Sequence, residues 1–369
     1  MLHLILLTLF VGGIGSFIGM KLKIPVGGMV GAMVAVLIFN VITGNAHMPP
    51  EVRKITQIAA GAMLGSRIKR KDVYDLREVL LPAIILIIGM IIINFSFGFL
   101  VSRISNLDLA TALFAAAPGG LSDMALIADD LGADSPKVAL LQLIRVVGVI
   151  SIYPPIMKYI YSRMKKKNTG EARENEVQVV SASFESVSPS IEKVGDKDEE
   201  IKMQNRRNLG LTVGIAALGG IVGILLNIPA GAMVLSMIAA AAFNITSGRG
   251  YFPSNYRSVT QSATGALIGS RMTSADIFGI KDILLPAAVL TVGMLCLTFF
   301  IGYAIYKFSK FDLITALLAS TPGGLTEITM MAEEVGADAP KVAVLHLFRL
   351  VTVISVFPIV LKYVCGIFA

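Results

Sequence analysis

The sequence predicts an all-α polytopic membrane protein of transporter-like layout: two inverted repeats, each of about five spans plus a re-entrant broken hairpin. Three observations predict it. The 369 residues are 55% hydrophobic and only 15% charged, with a mean hydropathy of +0.75. The second half repeats the first without a gap, every position recurring 204 residues on: Pro25 as Pro229, Asn40 as Asn244, Gln57 as Gln261, Arg67 as Arg271, Arg145 as Arg349. Basic residues, finally, bias matching loops of the two halves in opposite directions.

Each half offers six apolar segments, in the first at about 2–20, 25–44, 52–66, 79–102, a broken 109–131, and 137–161. The run from Val79 to Leu100 is uncharged and long enough to cross a bilayer, although Pro82, Gly89, Asn94, Ser96 and Gly98 interrupt it. The N-terminal run recurs after residue 209 and lacks a basic leader, so it is expected to be a retained span. Between the halves the chain is charged, Ser-rich and without apolar periodicity, which divides it into a first membrane repeat at 1–164, a charged cytoplasmic linker at 165–205 and a second repeat at 206–369.

Charge fixes the crossings. The loop carrying Arg67, Lys69, Arg70, Lys71 and Arg77 and the linker start at Arg163, Lys165, Lys166 and Lys167 should both be cytoplasmic. Three segments lie between them, so one must enter and return, and the broken segment is the candidate. Five crossings per half then invert the second half and put both termini outside. The bias agrees. Lys21 and Lys23 have no counterpart, the five-residue cluster shrinks to Arg271 and Lys281, and Arg103 alone is answered by Lys307 and Lys310.

The central stretch runs from Asp108 to Asp134 and returns from Asp312 to Asp338. Each copy is two short apolar runs separated by Pro-Gly-Gly-Leu and a polar pair: Pro118, Gly119, Gly120, Ser122 and Asp123, then Pro322, Gly323, Gly324, Thr326 and Glu327. The nine residues from Leu109 to Ala117, at about 1.5 Å each, reach only half-way through a hydrocarbon core of about 30 Å. Such a break is tolerated in a membrane only where protein or a water-filled cavity surrounds the backbone. The second half-helix would aim its N–H groups and positive dipole end at the tip, and Asp123 and Glu327 are candidates for proton or cation coupling there. Their plainer role is helix capping.

Arg145 and Arg349 lie about nine residues beyond Pro136 and Pro340, roughly 13 Å into the last span of each half. So deep a guanidinium needs a partner, which Asp123 or Glu327 could supply, or a substrate carboxylate. Gln142 and His346 fall three residues earlier on the same face. The acidic pairs Asp129-Asp130 and Glu333-Glu334 are expected to be solvated at the membrane surface, ahead of a left-handed glycine at Gly132 or Gly336 and a helix start at Pro136 or Pro340. Gly61 and Gly65, with Gly265 and Gly269, mark close helix packing.

No His, Cys and carboxylate cluster, nucleophile elbow or phosphate loop is present, and Cys296 and Cys365 form no metal or disulfide pattern. No enzyme activity, cofactor or metal is therefore expected. The net charge of +7 belongs to membrane loops and does not point to nucleic acid.

By PGGLSDMALIADDLGADSPKVALLQLIRVV and PGGLTEITMMAEEVGADAPKVAVLHLFRLV, the chain resembles the AbrB membrane-protein family, a duplicated-domain family labelled ammonia monooxygenase or AbrB-type regulator and distinct from the soluble DNA-binding proteins of that name. The family is similar in layout to inverted-repeat antiporters and anion transporters whose broken helices cross near the substrate, which implies a panel module and a moving core. No copper or iron ligands here support the monooxygenase label. The expected function is secondary transport of a small carboxylate-bearing or amino-acid-like solute, coupled to protons or sodium, across a bacterial plasma membrane. The alternative is a membrane-embedded regulator of gene expression acting through a partner bound by the linker. The expected partners are a small solute or ion, the lipid bilayer and a second copy of the chain.

Overall fold

The computed structural model describes residues 2–22, 26–75, 79–169, 195–253, 255–274, 280–323 and 325–368. The central part of the expected linker, 170–194, lies outside them; its flanks are helical to Thr169 and from Gly195. Gly324 and the side chains of Thr326 and Glu327 also lie outside the described residues.

All described secondary structure is helical. The first half contributes α1 (Leu2–Lys21), α2 (Gly27–Thr43), α3 (Pro50–Gly65), α4 (Arg70–Asp75), α5 (Leu80–Ile104), α6 (Leu109–Ala116), α7 (Leu121–Asp130) and α8 (Ser135–Thr169). The second contributes α9 (Gly195–Leu225), α10 (Gly231–Ser247), α11 (Asn255–Gly269), α12 (Ile280–Phe308), α13 (Leu313–Ser320), α14 (Leu325–Glu334) and α15 (Ala339–Phe368). Six helices, α1, α5, α8, α9, α12 and α15, hold stretches apolar and long enough to cross a membrane. The apolar α2 and α10 are shorter, at 17 residues, or about 25 Å. Large apolar side chains cover the outside of these helices, with Phe10, Phe17, Ile92, Phe300 and Tyr363 all exposed, as a lipid-facing surface requires. The chain is a multi-pass membrane protein.

Two modules position the site. In one, α1 packs on α2 and α9 on α10, while each half's third helix crosses to the other half: α3 lies on α10, and α11 on α2. Glycine allows this approach. A side chain at Gly61 would overlap the carbonyl of Met233, and one at Gly265 that of Met29. Reciprocal polar contacts finish the crossings. Asn40 Nδ2 donates to the carbonyls of Ser270 (3.2 Å) and Met272 (3.0 Å), and Asn244 Nδ2 donates to those of Ser66 (2.8 Å) and Ile68 (2.9 Å). Each asparagine satisfies the orphan carbonyls at the far helix's C-terminus.

In the other module, α5 and α12 pack together and hold the broken helices. Asn94 Nδ2 donates to Leu113 O at 2.8 Å, and the Tyr153 hydroxyl donates to Leu317 O at 2.8 Å, across the two halves. Gly132 and Gly336 do adopt the left-handed conformation, with φ of 75° and 69°, before α8 and α15 begin. Val26 and Ala230, matching positions ahead of α2 and α10, also have positive φ (52° and 53°), which for a β-branched valine is costly.

Candidate functional site

Each break is built by its own cap and its own arginine. The side chain of Asp108 accepts from Thr111 N at 2.9 Å and starts α6; Asp312 does the same for Thr315 N at 2.9 Å and starts α13. After eight residues the backbone turns extended, at Ala117 (ψ 130°) and at Thr321 (ψ 131°), so the last carbonyls of each half-helix lose their intrahelical donors. The long helix behind supplies them. Arg145 donates to Ala117 O at 2.8 Å, Ala115 O at 3.3 Å and Gly119 O at 3.4 Å, while Gln142 donates to Phe114 O at 2.9 Å and accepts from Arg145. Arg349 donates to Thr321 O and, at 2.9 Å, to Gly323 O. His346 places Nε2 3.1 Å from Thr321 O and Nδ1 3.0 Å from Val342 O.

Asp123, Glu327 or a substrate carboxylate was open as the partner of these buried arginines. Among the described residues, their partners include the backbone carbonyls that the Pro-Gly-Gly break leaves open. A short helix ending inside a membrane protein presents several carbonyls at once, and a planar guanidinium meets them without a second buried charge.

Both tips line a single cavity of about 240 Å³. Pro118, Gly119, Gly120, Ser122 and Asp123 reach it from one side, Pro322 and Gly323 from the other, with Arg145, His346 and Arg349 behind. Gln142 stands behind Arg145 and does not line it. The remaining wall comes from the crossing helices: Arg67 after α3, and Arg257, Thr260, Gln261 and Thr264 on α11. Among the described residues, the lining thus holds four arginines and one carboxylate, that of Asp123. The N-cap position of α7 is Gly120, which has no side chain to cap with, and Asp123 stands in the first turn of the helix. Its carboxylate leans back over Gly120, where any added Cβ would collide with it. Burial lowers the affinity of Arg67 for its proton, Arg257 lowers it further, and Asp123 opposes both.

Asp129 departs from the solvated surface position expected of it. It is buried, and its carboxylate lies between Arg53 Nη1, at 2.7 Å from Oδ2, and Arg271 Nη1 at Oδ1. Arg53 Nη2 also reaches Asp130 at 3.0 Å, and Gln57 Nε2 donates to Asp130 at 2.8 Å and to Leu126 O at 3.2 Å. The reason is that α7 packs against both α3 and α11, which closes these arginines over its C-terminus. Its counterpart Glu333 is exposed, as the surface reading expects.

Arg53, Arg67, Arg257 and Arg271 were missed as site residues. The signal was present, since Arg53 recurs as Arg257 and Arg67 as Arg271 at opposite ends of the same segment. Charge type kept at both ends of a repeated segment is more than a loop needs. In the sequence, Arg67 and Arg271 stand both as loop charge and at the end of a packing segment, Gln57 to Gly65 and Gln261 to Gly269, that serves only secondarily as a site wall.

Comparison with known proteins gives the family. A family model described as "Transition state regulatory protein AbrB" matches twice, over residues 1–161 and 169–365. The "Uncharacterized protein YhjN" of Bacillus subtilis (strain 168) is 25% identical over 360 residues, covering 93% of this chain and 88% of that protein. The "Putative regulator AbrB" of Escherichia coli (strain K12) is 25% identical over 356 residues, covering 94% of this chain and 92% of that protein. With two tandem matches that together span nearly its whole length, the chain belongs to the AbrB family of membrane proteins.

Proposed function

We propose that the chain is a secondary transporter of a small carboxylate-bearing or amino-acid-like solute, coupled to protons or sodium. In this reading it has ten crossings and two re-entrant hairpins arranged as inverted repeats, with 165–205 cytoplasmic. One observation carries it: two broken helices, Asp123 and four arginines share one cavity between the modules. Irregular backbone at membrane depth is tolerated where it lines a cavity, and paired breaks in two repeats point to a solute site. An arginine-rich lining favours an anion. At about 240 Å³ the cavity is below the roughly 300–1,000 Å³ of sites for drug-sized molecules, so the solute is small. Asp123, buried at the cavity, is the group able to couple a proton or cation.

The test is uptake into proteoliposomes of labelled mono-, di- and tricarboxylates and amino acids under an imposed proton or sodium gradient. Gradient-driven accumulation of one of them, lost in Asp123→Asn, is the expected result; accumulation of none removes the reading. The second reading, a regulator working through the linker, is favoured by the name of the Escherichia coli relative and by the charged 165–205 segment. Deleting 170–194 separates the two, because a transporter keeps its flux and a linker-dependent regulator loses its effect.

A further inference from the structure

The repeat places two arginine pairs at equivalent positions, and the two pairs differ in what they hold. Arg53 and Arg271 hold the Asp129 carboxylate by both of its oxygens, one arginine from each half of the chain. Their counterparts are Arg257 and Arg67. These line the cavity that contains Asp123 and both tips. Among the described residues, the ion pairs that arginine makes are those of Arg53 and Arg271. The other two guanidinium groups at the cavity, Arg145 and Arg349, are committed to backbone carbonyls of the breaks. Among the described residues, the lining therefore offers a solute one arginine pair that is engaged in no ion pair, with the Asp123 carboxylate in the same cavity.

We propose that Arg67 and Arg257 are the anion-recognition pair of the cavity, and that a carboxylate of the solute sits between them as Asp129 sits between Arg53 and Arg271. The proposal rests on the carrier reading and adds to it which residues select the solute. The chemistry is that of paired guanidinium groups: each planar fork presents parallel N–H donors matched to carboxylate oxygens, and two forks fix both oxygens at once. The molecule itself contains the template, since the closed pair shows that two arginines at these positions, one from each half, converge on a single carboxylate. Thr260, Gln261 and Thr264 follow Arg257 along the same wall and can bond the rest of a polar solute. A solute bearing only a positive charge is excluded by the same arginines.

Phenylglyoxal, which modifies accessible arginine, tests this on the purified full chain with no gradient applied. Arg67 and Arg257 should be modified several-fold faster than Arg53, Arg271, Arg145 and Arg349, read by peptide mass spectrometry. One of acetate, succinate, citrate or glutamate should slow modification at Arg67 and Arg257 together and nowhere else. Arg257→Gln should weaken that protection about ten- to hundredfold, as loss of a charge-assisted pair does, whereas Arg53→Gln should leave it in place. If none of the four anions protects, or if protection survives Arg257→Gln, the proposal is wrong. It is equally wrong if Arg67 and Arg257 become reactive only in Asp123→Asn or in Glu333→Gln, because the pair is then occupied by one of the protein's own carboxylates. Failure of the carrier reading looks different: protection persists on the purified protein while no protecting anion is moved by proteoliposomes.

Discussion

Replacing Arg145 by methionine should destabilise the protein by about 2–4 kcal/mol, and the size follows from what the guanidinium touches. It makes one short bond, 2.8 Å to Ala117 O, and two long ones, 3.3 Å to Ala115 O and 3.4 Å to Gly119 O. A buried acceptor deprived of its donor costs about 1–3 kcal/mol. One full and two partial losses come to roughly 2–6 kcal/mol. Methionine recovers part of this, because it needs no desolvation of a charge that stands 3% exposed. Arg145→Lys keeps the charge but only one donor direction, so it should lose about half as much. Loss of helical circular dichroism on heating in detergent measures both, and the chain's lack of tryptophan makes this a better readout than intrinsic fluorescence. Wild-type melting of Arg145→Met, or equal damage from lysine and methionine, would falsify the carbonyl-capping account and return Arg145 to the list of solute ligands.

Asp123→Asn should abolish gradient-driven uptake and leave melting within a degree or two of wild type, because asparagine serves a helix N-terminus about as well as aspartate; retained coupling would leave the carboxylate a bystander. Gly61→Leu should prevent α3 from docking on α10, since the added carbon meets the Met233 carbonyl, and should show as loss of folded protein on size exclusion, while Gly13→Leu, open on all sides, should not. Asp129→Asn should cost about 1–3 kcal/mol, less than for a fully buried pair because both arginines keep contact with water. It should also admit a thiol reagent to a cysteine placed at residue 126, which wild type protects. Single cysteines in the linker and at the C-terminus, in a background without Cys296 and Cys365, should be labelled from opposite sides of the membrane; labelling from one side removes the inverted topology.

The helical, membrane-spanning class was legible because hydropathy over 20 residues is a local property of the chain. The breaks were legible for the same reason: Pro118-Gly119-Gly120 cannot continue a helix, and its repetition at Pro322 marked it as purposeful. Partners were not legible. Arg145 looked like half of an ion pair because sequence shows charges and hides carbonyls, and the carbonyls that need it exist only once Ala117 turns out of the helix. Arg67 and Arg271 were read as loop charge because nothing local shows that α3 and α11 each cross to the opposite half. That leaves Lys69, Arg70, Lys71 and Arg77 against Lys281 to carry the charge bias of that loop.

The unequal use of equal sequence has a physical consequence. Asp129 and Glu333 occupy matching positions, yet one is buried between two guanidinium groups and the other is exposed. Burying a carboxylate is costly by several kcal/mol unless hydrogen-bonded counter-charges surround it. Asp129 meets that condition only because Arg53 comes from the first half and Arg271 from the second. Neither half could bury this group alone, so closure at the C-terminus of α7 requires both crossing helices together. Arg67 and Arg257 likewise come from different halves, and they stand at the cavity with Asp123. The contrast between the ends does not lie in the arginines, which are the same on both sides, but in what reaches them: α7 packs against α3 and α11 and delivers its carboxylate, whereas Glu333 on α14 stays in the open. The seating of α7 on the crossing pair is thus held at its far end by Asp129, and α14 has no matching hold through Glu333.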